Sequence, residues 1–179
     1  TRILSTRNLV DALPAGADGV TLLSASAVGY YGFRGDEELG EDDHPGDDFL
    51  ARLCVDWEAE ADRATEKGVR VVISRFGIVL GKRGGALRQM MPFFRFGLGG
   101  PLGDGCQWFS WIHMDDLLGG LHFLLGMREA RGPYNLVSPG AVRNRDLAKK
   151  LGQALHRPAI LPAPSFVVRL AMGEFGDVL

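Results

Sequence analysis

Side chains able to do chemistry gather at three places along these 179 residues. The first is Ser24-Ala25-Ser26-Ala27-Val28-Gly29-Tyr30-Tyr31-Gly32, where hydroxyls and small residues follow the apolar run Val20-Thr21-Leu22-Leu23. Hydroxyls there could hydrogen-bond a ligand. Tyr30 and Tyr31 could supply a phenol beside them, or form a packed aromatic pair. The second is Phe76-Gly77-Ile78-Val79, which closes the apolar run 69–76. The third is Trp111-Ile112-His113-Met114-Asp115-Asp116. His113 could serve as a general base or sit as a structural histidine near a helix start. Asp115 and Asp116 suit the N-cap and first turn of that helix, where a carboxylate meets the free N–H groups. Gln107, Trp108 and Trp111 could line a pocket or hold a core.

The elements that must position these groups follow from the apolar spacing. Residues 2–13 carry Ile3, Leu4, Leu9, Val10 and Leu13 at helical spacing, ended by Pro14 and Gly16. Residues 20–24 read as a short buried strand and residues 69–76 as the clearest strand of the chain. Between them, the polar and acidic residues 33–48 form a surface loop. A long helix over 49–67 places Phe49, Leu53, Trp57, Ala61 and Ala64 on its inward face and turns Glu58, Glu60, Asp62 and Arg63 to water, with Gly68 as its C′ residue. A helix over 85–96 is interrupted or restarted at Pro92. A glycine-rich loop over 97–105 then leads into one strand, Trp108 to Ile112, with Trp111 facing inward like Trp57, and a helix capped by an Asp. Residues 133–137 form a further strand, and a helix starts at Asn144 or Arg145. Strand and helix alternate, so the expected fold is α/β with a mostly parallel sheet and right-handed crossovers, its ligands at the strands' carboxyl ends.

Composition narrows the partners. The net charge of −2, with 20 Lys and Arg scattered along the chain, excludes the basic patch of a nucleic-acid surface. No apolar run approaches the ~20 residues of a membrane span. Cys54 and Cys106 form no disulfide framework or metal-binding pair, which fits a reducing, cytoplasmic setting. Both ends suggest an internal fragment of a longer protein.

Four passages in order then resemble the extended short-chain dehydrogenase/reductase superfamily: Leu23 to Gly32, Arg75-Phe76-Gly77-Ile78-Val79-Leu80-Gly81, Trp111 to Leu117, and Tyr134-Asn135-Leu136 with Asn144 to Ala148. Gly84-Gly85-Ala86-Leu87, Gly97-Leu98-Gly99-Gly100-Pro101 and Trp111-Ile112-His113 are similar to one atypical branch. Its members are NAD(P)-binding epimerase-family proteins with a small C-terminal domain of unknown function. The resemblance implies a Rossmann-type doubly wound sheet over residues 1–157, lacking the half that carries the Gly-rich cofactor loop. Residues 158–179 would begin the extra domain; the residue pattern there puts Ser165 at the cap of a last apolar helix with Phe166, Val167, Leu170, Ala171 and Met172.

The resemblance also assigns roles. Ser26 matches the superfamily's hydroxyl that contacts a substrate carbonyl or alcohol, with Tyr31 and His113 as candidate partners in proton transfer. Arg2, Ser24, Phe76, Gly77 and Val79 match the cofactor side, and the cofactor is NADP or NAD. The superfamily's Tyr-x-x-x-Lys on the following helix is absent; Leu53, Cys54, Trp57 and Glu58 stand in that neighbourhood. The implied function is an NAD(P)-dependent epimerase/dehydratase-like or oxidoreductase activity on a small molecule, with nucleotide sugars as the superfamily analogy. A cofactor-binding regulatory protein without turnover is the alternative.

Overall fold

The run 69–76 becomes the middle strand of a parallel sheet. The computed structural model describes residues 1–82 and 84–161, which fall into two units. The first unit holds Thr1–Gly77 and Asp115–Val137. In it, α1 (Arg2–Ala12), β1 (Thr21–Ala27), α2 (Phe49–Asp62) and β2 (Arg70–Phe76) are followed, after the excursion through the second unit, by most of α4 (Met114–Gly126) and by β6 (Gly132–Leu136). The sheet order is β1-β2-β6, all parallel. Thr21 pairs with Arg70 and Ala27 with Phe76; Val72 pairs with Gly132 and Phe76 with Leu136.

Alternation along β2 divides two cores. Val71 and Ile73 face Val10, Ala17, Ala61 and Ala64, while Val72 faces Leu124 and Ala130. Each such valine or isoleucine stabilises the fold by roughly 1.5–3 kcal/mol. This two-sided burial explains why β2 reads as a continuous apolar run.

Helix α2 corrects the expected face. Its buried stripe is Ala51, Cys54, Glu58 and Ala61, whereas Phe49 is exposed and Trp57 only half-buried. Small side chains let the helix approach the sheet closely, and the large ones are displaced to its flank. There Trp57 Nε1 donates to Thr6 Oγ1 at 2.9 Å, and the Arg2 guanidinium lies over its ring at 5.0 Å. Glu58, expected in water, is therefore buried. Asp48 caps the helix start by accepting from Ala51 N at 2.8 Å. A 3₁₀ turn, Arg63–Lys67, carries the chain on to Gly68 at φ 84°, the expected left-handed residue.

The second unit holds Ile78–Met114 and the chain from Ser138 onward. It contains β3 (Ile78–Gly81), α3 (Gly85–Arg95), β4 (Trp108–Phe109), β5 (Trp111–His113), β7 (Val142–Arg143) and α5 (Asn144–Leu155). The single strand expected over 108–112 is two strands parted at Ser110. β4 pairs antiparallel with β7, and β5 runs parallel with β3. Trp111 is half-buried rather than fully inward, and Trp108 is exposed. Pro92 lies inside one continuous α3. Helix α4 starts at Met114, so Asp115 and Asp116 both occupy its first turn, as expected for one of them, and neither caps it. Ser165 and most of the expected second domain lie outside the described residues. Among the described residues, no helix is long and apolar enough to cross a membrane.

Candidate functional site

Register brings three residues of the first unit into one row. Ser26 of β1 pairs with Arg75 of β2, and Arg75 with Asn135 of β6, near the carboxyl ends of all three strands. Strand partners share a face, and alternation puts this row on the face that α2 covers. Ser26 and Arg75 are each 3% exposed. A guanidinium buried that deeply needs a counter-charge, and Glu58 of α2 supplies it. Arg75 Nε donates to Glu58 Oε1 at 2.9 Å and Nη2 to Oε2 at 2.8 Å, a two-pronged fork. Ser26 Oγ donates to the same Oε1 at 2.5 Å.

The third prong of Arg75 reaches the turn after β1. Nη1 donates to the Tyr31 hydroxyl at 2.9 Å, which itself donates to Asn135 Oδ1 at 2.8 Å. Tyr30 and Tyr31 pack edge to face with centroids 5.3 Å apart, and the Arg75 guanidinium sits 3.5 Å from the Tyr30 ring centroid. The acidic loop is tied in as well: Arg75 Nη1 donates to the Glu41 carbonyl at 3.2 Å, and Glu41 Oε1 accepts from Asn135 N at 2.8 Å.

Electrostatics follow from this geometry. Burial works against the charge on Arg75, but the hydrogen bonds and charge of Glu58, with the Tyr31 hydroxyl, outweigh it and raise its pKa. Burial pushes the Tyr31 phenol up, against the opposing pull of Arg75 and Asn135. Burial also pushes the Cys54 thiol up, although its contact with the Ser26 hydroxyl lowers it. Cys54 is thus a neutral thiol at neutral pH, not a reactive thiolate.

The remaining expected residues divide between the units. Ser24, buried, lies two residues before Ser26 on the same face of β1. Phe76 ends β2, and buried Gly77 donates its N–H to Leu136 O at 3.1 Å. Arg2 is exposed at the start of α1, against Trp57. Val79 and His113 belong to the second unit, where Val79 pairs with Ile112 and Leu80 with His113. The structure therefore joins Ser26 and Tyr31 through Arg75. Glu58, Arg75, Asn135 and Glu41 were missed as site residues. One signal was available: Arg75 stands inside the clearest apolar strand, and Glu58 lies four residues after Cys54 in a stripe of small residues. Among the described residues, no group of three or more His, Cys, Asp or Glu could hold a metal ion.

Residues 1–137 match the model of the NAD dependent epimerase/dehydratase family. The chain is 45% identical over 169 residues to an epimerase family protein of Mycobacterium bovis, covering 94% of this chain and 56% of that one. It superposes on the crystal structure of human epimerase family protein SDR39U1 with NADPH at a TM-score of 0.88 and 36% identity, covering 99% of this chain and 61% of the human one. A nucleoside-diphosphate sugar epimerase from Corynebacterium glutamicum matches with a TM-score of 0.77 and 37% identity over 99% of this chain and 40% of its own. The chain spans about half the length of the curated relatives it matches. With its parallel sheet and Rossmann-like neighbours, the chain belongs to the NAD-dependent epimerase/dehydratase family.

Proposed function

We propose that this protein is an NAD(P)-dependent enzyme of epimerase/dehydratase or oxidoreductase type, acting on a small molecule in a reducing cytoplasm, with a nucleotide sugar as substrate class. One observation carries the reading: a buried serine hydroxyl, Ser26, stands near the carboxyl end of a parallel strand with a fixed hydrogen-bond partner, Glu58. Ser26 contacts the reacting oxygen. Tyr31, whose hydroxyl accepts from Arg75, and His113 are the alternative groups for moving its proton.

The residues suit the nicotinamide end of a dinucleotide. Phe76 ends β2 with an apolar side chain and Gly77 follows it with a bare backbone, while Ser24 precedes Ser26 by two residues on β1; Val79 and Arg2 complete the proposed set. No glycine-rich loop that follows a strand and opens a helix occurs in the sequence, so the pyrophosphate contacts are not assigned to these residues. Support for NADP comes from the human relative, which was crystallised with NADPH. When bound, such a cofactor exchanges a hydride with its substrate. A binder without turnover is the second reading, supported by Cys54 and Glu58 on α2 in the neighbourhood where Tyr-x-x-x-Lys is expected.

The test uses the full-length protein, NADPH deuterated at the transferable position, and a panel of UDP- and dTDP-hexoses with their 4-keto forms. Deuterium appearing on a sugar carbon is the expected result. NADPH binding without transfer to any panel member contradicts the nucleotide-sugar enzyme and supports the silent binder.

A further inference from the structure

We propose that Glu58 is the positioning residue for Ser26, and that the Ser26 hydroxyl meets its ligand as a hydrogen-bond acceptor, so that the group recognised there is an alcohol O–H rather than a carbonyl. This rests on the reading of Ser26 as the substrate contact given above.

A serine hydroxyl has one proton and two lone pairs. Here the proton is committed, because Ser26 Oγ lies 2.5 Å from Glu58 Oε1 and donates to it. Glu58 cannot swing away. Its two oxygens are gripped by Nε and Nη2 of Arg75, and Arg75 is fixed by strand register beside Ser26 and by its bonds to Tyr31 and the Glu41 carbonyl. Turning the Ser26 proton toward a ligand carbonyl would remove a charge-assisted bond from a buried carboxylate, the kind of loss that buried polar groups resist most. With its proton directed to Glu58, the lone pairs of Ser26 are what remain for a ligand donor. The other hydroxyl of the network does not compete, since the Tyr31 proton goes to Asn135.

The arrangement also provides a proton path. The alcohol's proton passes to Ser26 Oγ as the Ser26 proton passes to Glu58 Oε1. Two O–H bonds break, two form, and the net proton rests on Glu58. Glu58 acts only through Ser26, which distinguishes it from a carboxylate that merely neutralises Arg75.

The test has two independent arms on the full-length protein. Neutron diffraction from deuterium-exchanged crystals should place the Ser26 deuteron on the line to Glu58 Oε1, with Glu58 itself undeuterated. A deuteron directed elsewhere, or residing on Glu58, overturns the proposal. In the kinetic arm, UDP-glucose with NADP⁺ probes the alcohol and UDP-4-keto-6-deoxyglucose with NADPH the ketone. Ser26→Ala and Glu58→Gln should each lower kcat on the alcohol about 10²-fold with KM little changed, the double variant should lose no more than either, and Glu58→Asp should recover part of the loss. An unchanged kcat in Glu58→Gln, or additive losses, contradicts it. If neither sugar turns over with wild type, the nucleotide-sugar reading fails on its own, and the neutron map still decides the acceptor role.

Discussion

At the carboxyl ends of β1, β2 and β6 the chain is held side chain to side chain: Ser26 to Glu58, Glu58 to Arg75, Arg75 to Tyr31, Tyr31 to Asn135. The segment 97–105 of the second unit is held differently, through backbone groups and through the absence of side chains. Leu98 N donates to Phe93 O, Arg145 N to Gly105 O, and Leu102 N to the buried Asn144 side chain. A Cβ on Gly99 would run into the ring of buried Phe94, and one on Gly105 would lie 2.8 Å from the Cβ atoms of Arg145 and Pro101. The first region depends on which charges are present, the second on how little atomic volume is. The two regions thus fail under different substitutions.

The largest effect should come from breaking the charge network. Arg75→Met leaves Glu58 buried without its partner and should cost ~3–5 kcal/mol in urea unfolding, while Arg75→Met with Glu58→Leu should recover most of it. A loss below 1 kcal/mol in the single variant would show that the network is not the organising contact of the first region. A smaller effect sharpens the other half. Gly99→Ala should cost ~1–3 kcal/mol by overpacking against Phe94. Gly103→Ala meets no atom within 4 Å and pays only for φ +55°, roughly 1–2 kcal/mol. Equal, negligible losses at both would remove the volume argument.

The smallest effect is a slope. Burial holds the Cys54 proton in the folded state beyond the point where an unfolded thiol releases it. The folded state therefore binds more protons above the ordinary thiol value, and stability falls as pH rises from about 8.5 toward the raised folded value. Cys54→Ala should lose less stability than wild type over that range. Parallel stability–pH curves would place the thiol in a wetter environment than its burial implies.

How much of this could be read beforehand depends on period and register. The strand over 69–76 is unmistakable because β2 is covered on both faces, and Gly68 marks a turn that only a left-handed residue completes. Helix α2 misled because large apolar residues suggest the inward face. Phe49, Leu53 and Trp57 outweigh Ala51, Cys54 and Ala61 by size, yet close approach to a sheet selects the small ones. Once that stripe is chosen, Glu58 falls inside it, and the charge on Arg75 in an apolar strand names its partner. The split at Ser110 was not legible, because Trp108, Phe109, Trp111 and Ile112 have the same strand-forming character whichever sheet receives them. Nor was the row Ser26–Arg75–Asn135, since register between strands far apart in sequence is set by the folded sheet and not by local pattern.

The central claim is that Ser26 is where this chain meets its substrate. The direct measurement is deuterium transfer from labelled NADPH to the nucleotide-sugar panel by the full-length protein and by its Ser26→Ala variant, with NADPH affinity measured alongside. The account predicts transfer by wild type, a fall of about 10²-fold in kcat in the variant, and nearly unchanged NADPH affinity. Full transfer by Ser26→Ala would contradict it.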